Sequence, residues 1–211
     1  MKLSNISVRN KLFSLVAFSS VLLISACLYN LNEQKKSALH ERESKLSSQV
    51  EVVVSLLDHF YQLRNDIGIE NAKLEAMKAI QTIRYDGDNY FWILTPNSKV
   101  ILHPAKPELN GVDAKSFKDG AGKFHWQEMV QIAQKSGSGF IDYRWLSPEG
   151  DLKDKISYVQ LYPEWQWIVG SGILVADIQE TFYENAVKEA IVAIILIAAL
   201  SVLGYLISNN I

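Results

Sequence analysis

Residues 155–175 read KISYVQLYPEWQWIVGSGILV, and two extended segments joined by a tight connection account for the whole stretch. β-Branched and aromatic residues fill 155–162 and 167–175, and Pro163-Glu164-Trp165-Gln166 supplies the turn between them. Side chains alternate across a strand, so Lys155 and Ser157 fall on one face, opposed by Ile156 and Tyr158. Just upstream, FIDYRW (140–145) and the turn Ser147-Pro148-Glu149-Gly150 add another strand. There Tyr143 and Trp145 share a face, and Asp142 and Arg144 share the opposite one. The expectation is an antiparallel meander.

Towards the N-terminus, NYFWILT (89–95) and KVILH (99–103) flank Pro96-Asn97-Ser98 and predict a β-hairpin. Tyr90 and Trp92 face one way along it, Phe91 and Ile93 the other. A loop over 105–122, broken by Pro107, Gly111 and Gly120, leads to an amphipathic helix at about 124–135, which Gly137-Ser138-Gly139 stops. Ahead of the hairpin, Asp86-Gly87-Asp88-Asn89 marks a turn, and its two carboxylates lack the further ligands of a calcium loop. Two helices come first, about 32–64 and 70–83, separated by Asp66-Ile67-Gly68. In the longer one Leu39, Leu46, Val50, Val53, Leu57 and Phe60 form a stripe at heptad spacing, which suits either packing on the domain's own sheet or a dimer seam. Hairpin, crossover and meander with helices in front predict an α+β, PAS-like domain with a five-stranded antiparallel sheet.

Two charge-free apolar runs, 12–31 and 190–207, bracket this region. Each is long enough to cross ~30 Å of hydrocarbon at ~1.5 Å per residue. Lys2, Arg9 and Lys11 precede the first run and no acid occurs before Glu33, so the positive-inside bias keeps the N-terminus cytoplasmic. The expected layout is a cytoplasmic N-terminus (1–11), a transmembrane helix (12–31), a periplasmic domain (32–185), a second transmembrane helix (186–208) and a cytoplasmic stub (209–211). So short a stub is no output domain; the expectation is a truncated chain or one that signals through a partner. Ile24-Ser25-Ala26-Cys27 also resembles a lipobox with Cys27 as the lipidated residue, although the apolar run continues through Leu31 and favours an uncleaved helix.

A net charge of −2 offers no basic field for nucleic acid. Cys27 is the sole cysteine, so the exported region holds neither a disulfide nor a Cys-based metal site. G-x-S-x-G, H-E-x-x-H, P-loop and Cys-x-x-Cys patterns are absent, and His40, His59, His103 and His125 are scattered; neither an enzyme nor a cofactor or metal is expected. The aromatic strand faces suit a small-ligand pocket, and equally an ordinary core. Lys155 is either a solvated edge charge or an inward cation, and an unpaired buried cation costs several kcal/mol. Asp151 and Asp154 are the acids near it in sequence. A small carboxylate would be a natural counter-ion, with tyrosine hydroxyls and His103 as further donors.

The runs DGDNYFWILTPNSKVILHPAKPELNG (86–111), DGAGKFHWQEMVQIAQKSGSGFIDYRW (119–145) and KISYVQLYPEWQWIVGSGILVADI (155–178) together resemble the single Cache domain of bacterial methyl-accepting chemotaxis receptors. The resemblance covers about residues 33–180 and extends to the flanking spans. It implies extracytoplasmic sensing of small organic acids such as acetate, propionate or pyruvate, bound between the sheet and its covering helices and loop. Carried over by position, it implies Tyr90, Trp92, His103, Tyr143, Lys155 and Tyr158 as ligand contacts, with Arg84, Trp145 and Ser157 as second choices. It further implies a homodimer in the bacterial inner membrane, coupled to the chemotaxis kinase where a cytoplasmic region follows. Two other readings stand beside it: the sensor module of a histidine kinase or cyclase, and a membrane-anchored adaptor that docks a periplasmic protein.

Overall fold

The computed structural model describes residues 8–146 and 150–209. They fall into two units: a helical one, built from the residues up to 39 and those from 177 onward, and an α+β one over 40–176.

Helix α1 runs from Val8 to Ile67 without interruption. The sequence reading separated a membrane helix from a following stalk, but no glycine or proline occurs between residues 8 and 67 to break one from the other. Gly68, at φ +84°, provides the break, and α2 (Ile69–Thr82) starts at once. The hairpin β1 (Phe91–Leu94) and β2 (Val100–Leu102) follows, then α3 (His125–Ser136), β3 (Ser138–Leu146), β4 (Leu152–Tyr162), β5 (Trp167–Leu174) and α4 (Ala176–Asn209). Strands β3 and β4 are longer than the 140–145 and 155–162 expected. Gly137, at φ +79°, ends α3 abruptly, so extended backbone begins directly at Ser138. The turn expected at 147–150 lies, for residues 147–149, outside the described residues.

The sheet is antiparallel and five-stranded, in the order β2-β1-β5-β4-β3. Hairpin and meander are thus sewn together by β5, which pairs with β1 and brings Trp92 opposite Gly170. Each face of the sheet carries its own core. On one face Phe91, Ile93, Val169 and Ile173 pack with Ala72, Ala76 and Ile80 of α2 and with Leu46, Val50, Val53 and Leu57 of α1. Those four α1 residues are at most 1% exposed, so this part of the heptad-like stripe is consumed by the domain's own sheet. At about 1.5–3 kcal/mol per buried aliphatic side chain they are a main anchor of the helix. The opposite face, covered by α3 and the preceding loop, buries Trp92, Leu94, Trp126, Met129, Tyr143 and Val159.

In the helical unit, both helices contain a segment long and apolar enough to cross a membrane. Large apolar side chains such as Phe13, Phe18, Leu28, Ile194 and Leu203 point outward, as lipid contact requires. A small polar clasp joins the two helices. Asn30 Nδ2 donates to Glu189 Oε1 at 2.7 Å, Gln34 Nε2 donates to the same oxygen at 3.1 Å, and Asn185 Nδ2 donates to Gln34 Oε1 at 3.2 Å.

Candidate ligand site

Strand alternation and register assemble the site on the α3 face of the sheet. Tyr90 enters just before β1, Trp92 lies on it, and His103 follows β2. Tyr143 and Trp145 project from β3, while Lys155 and Ser157 project from the adjacent β4, with Tyr143 directly paired to Lys155. Glycine makes the floor. Gly170 faces Trp92 and Gly172 faces Ser157 across the ladders. A Cβ on Gly170 would come within 2.5 Å of the Trp92 indole, and one on Gly172 would lie 2.7 Å from Lys155 Cε and collide with Ser157 Oγ. The G-S-G of β5 therefore lets the lysine stem and the indole lie flat on the sheet. Gly172→Ala is expected to push the ammonium aside. An overpacking penalty of about 1–3 kcal/mol should appear in the calorimetric unfolding transition.

Lys155 is 4% exposed. Its ammonium donates to the Tyr90 hydroxyl at a long 3.5 Å and lies 5.0, 5.3 and 4.7 Å from the ring centres of Tyr90, Trp92 and Trp145. Three aromatic faces give a cation partial compensation and no counter-charge. No carboxylate of the described residues offsets that burial: desolvation, with the charge of Lys106 added, pushes the Lys155 ammonium down to about 7. Asp154, one of the acids near it in sequence, pairs instead with Arg144 on the solvent side, at 3.3 Å.

His103 stacks between indoles, 6.2 Å from Trp92 and 5.8 Å from Trp145. Burial, followed by the charges of Lys155 and Lys106, pushes it down to about 3, so the ring is neutral. Its Nδ1 accepts the Lys106 backbone N–H at 3.0 Å, which places the proton on Nε2 as a donor. Ser157 donates to the Tyr143 hydroxyl at 3.1 Å. Burial raises the pKa of both Tyr90 and Tyr143, which hold their protons as neutral donors. The Trp92 N–H has no hydrogen-bond partner in this otherwise closed setting. A buried cation without an anion, together with an unpaired N–H, is costly at about 1–3 kcal/mol for the latter alone. A cation among neutral donors and aromatic faces is an arrangement that can accept an anion.

Of the residues named from sequence, Tyr90, Trp92, His103, Tyr143 and Lys155 converge here, and so do Trp145 and Ser157. Tyr158 does not, which corrects the expectation for it: it lies on the opposite face, in the core beneath α1 and α2, against Phe140. Tyr158 is three positions from Lys155, and a residue an odd number of positions away along a strand must point the other way. Arg84 is also outside, exposed and donating to the carbonyls of Gln81 and Ile83. Sequence reasoning missed His125 and Trp126. His125 stacks on Tyr143 at 4.8 Å, and burial pushes it down to about 4. The Lys123 carbonyl lies near its ring, yet neither nitrogen has a hydrogen bond of full geometry. The signal for these two was the amphipathic helix at 124–135, whose first turn faces the sheet.

An open cavity of about 400 Å³ adjoins the site, lined on its inner side by His125, Trp126 and Trp145 and elsewhere by residues including Leu109, Phe117, Arg144 and Leu152. Lys155 and Tyr90 are not part of its lining. Among the described residues no cluster of histidine, cysteine and acidic side chains is arranged to hold a metal.

The sequence profile of the Cache domain (dCache_2) matches residues 22–194. The chain belongs to the Cache family. This Cache domain is similar to the methyl-accepting chemotaxis protein McpP of Pseudomonas putida, 28% identical over 212 residues, which covers 99% of the chain but 39% of that receptor. The chain thus spans well under half the length of the curated relatives it matches. Among solved structures, the periplasmic sensor domain of a chemotaxis protein is 36% identical with a TM-score of 0.63, over 65% of this chain and 97% of that one. A Cache chemosensory domain described for its carboxylic acid recognition is 33% identical with a TM-score of 0.62, over 66% and 97%. The chain is therefore a Cache sensory module of the chemoreceptor type.

Proposed function

We propose that this chain is the sensory part of a dimeric receptor of the bacterial inner membrane, with its Cache domain in the periplasm, and that a short-chain carboxylate binds at Lys155. The observation that carries the reading is the buried Lys155 ammonium, ringed by Tyr90, Trp92 and Trp145 and lacking an acidic partner among the described residues. The carboxylate takes the place of that partner. It accepts from Lys155, from the Tyr90 and Tyr143 hydroxyls and from His103 Nε2, and its short tail lies against the indoles. The relative described for carboxylic acid recognition supports the same ligand class.

Binding favours the sheet packing in which the ammonium is satisfied, and a ligand biases an equilibrium only by such differential contacts. β5 is followed after Val175 by α4, so the second span carries the bias across the membrane to a chemotaxis signalling region. Acetate, propionate and pyruvate, titrated into the full chain in lipid nanodiscs, are expected to raise the melting temperature by several degrees at a hundredfold excess over Kd. If no C2–C4 acid shifts the transition, the carboxylate reading fails.

A further inference from the structure

We propose that Trp145 is the size filter of the Lys155 site: its indole closes the site off from the adjoining cavity and so confines the ligand to short acids. The inference rests on the reading of Lys155 as the carboxylate anchor, and adds to it what selects among carboxylates.

Trp145 belongs to both compartments. Its ring centre lies 4.7 Å from the Lys155 ammonium and 5.8 Å from His103, nearly parallel to that ring at 18°. The same side chain lines the open cavity of about 400 Å³. The two other rings on this boundary, His125 and Trp126, are 5% and 3% exposed and are fixed by α3. Trp145 is only partly buried, near the end of β3. Lys106 holds it in place from the neighbouring loop, with its ammonium 4.3 Å from the ring centre and donating to the Leu146 carbonyl at 3.2 Å.

Around Lys155 the walls are aromatic and close. Tyr90, Trp92 and His103 lie within 5.0–6.2 Å of one another, ring to ring. Rings this close leave room at most for a short acid with its carboxylate on the ammonium. Each added methylene is driven towards Trp145. Beyond the indole the cavity is of mixed character, with Lys106, Glu108, Lys118, Asp119 and Arg144 in its lining, and the apolar surface of Leu109, Phe117, Leu146 and Leu152 is the part that suits an alkyl tail. Of the three boundary rings Trp145 is the one not fixed by α3, so it decides whether a longer acid reaches that surface, where each methylene buried would gain about fourfold in affinity.

The test is calorimetric titration of acetate, propionate, pentanoate and hexanoate into the full chain in nanodiscs at pH 7, for the wild type, Trp145→Ala and Trp145→Leu. The wild type is expected to bind hexanoate at least about tenfold more weakly than propionate. In the variants the propionate-to-hexanoate preference should fall at least about tenfold, with hexanoate binding gained in absolute terms. A variant that merely misfolds loses every acid and gains none, so the leucine variant and the gain for hexanoate separate a filter from a structural prop. Variants that keep the wild-type ranking, or a wild type that accepts hexanoate as well as propionate, overturn the filter while leaving the Lys155 site standing. A wild type that binds none of the four acids overturns the carboxylate site itself, and the filter with it.

Discussion

Lys155→Met is expected to abolish carboxylate binding and at the same time make the unliganded protein more stable. The ammonium is 4% exposed, and the one hydrogen bond it makes among the described residues, to Tyr90, is long at 3.5 Å. Methionine keeps the length and flexibility of the stem while removing the charge, and its thioether packs well against aromatic rings. Replacing buried charge by apolar side chains of similar size is commonly stabilising by about 1–4 kcal/mol. At roughly 3 °C per kcal/mol for a domain of this size, the melting temperature should rise by about 3–12 °C. Calorimetric unfolding with and without propionate tests both halves. A variant less stable than the wild type would mean that Lys155 is already satisfied in the empty protein. A variant that still binds propionate would remove the lysine from the site. The opposite signs of the two effects are the signature of a residue retained for function at the expense of stability.

The second large effect is on pH. The groups facing Lys155 are Tyr90, Tyr143, His103 and, from the loop, Lys106; none of them is an acid. With Lys155 pushed down to about 7 in the folded protein, against an ordinary lysine value of 10.5, the unfolded chain holds the extra proton between those limits. Stability of the unliganded protein therefore rises with pH from about 7 to about 10.5 and loses that contribution as pH falls to 7. Ligand binding runs the other way. A carboxylate needs the charged ammonium, so above pH 7 binding takes up a proton and affinity falls, by at most about tenfold per pH unit. His103 and His125, at about 3 and about 4, stay neutral throughout this range and add nothing to it. Propionate titrations at pH 8.5 in buffers of different ionisation enthalpy should report close to one proton taken up per ligand. An affinity that stays flat from pH 7.5 to 9.5 would sink this account.

Much of the fold was legible because its signals are local. Alternation in NYFWILT, FIDYRW and KISYVQLY assigned side chains to sheet faces, and every face assigned for Tyr90, Trp92, Tyr143, Trp145, Lys155 and Ser157 is the one observed. The same alternation separated Tyr158 from Lys155; grouping the two by resemblance set that aside, and the sheet restored it. Helix ends were legible at Gly68 and Gly137, where positive φ requires glycine. The join between the first span and the stalk was not legible as a single helix, since the change from apolar to charged residues there marks a change of surroundings and leaves the backbone untouched.

What the chain decided by itself is the set of elements, the face on which each side chain lies, and the two apolar helices that frame the domain. Period-2 and period-3.6 patterns and glycine's backbone freedom are properties of short segments, and they survive without any knowledge of the rest. The tertiary structure alone decided that β5 lies between β1 and β4. That pairing sets Gly170 and Gly172 beneath Trp92 and Lys155, and the covering helix brings His125 and Trp126 to the opposite wall. Lys155 read as an edge charge or an inward cation until the sheet closed over it. Burial is a sum over elements distant in sequence, and only that sum turns an ordinary lysine into a buried cation with no acidic partner among the described residues.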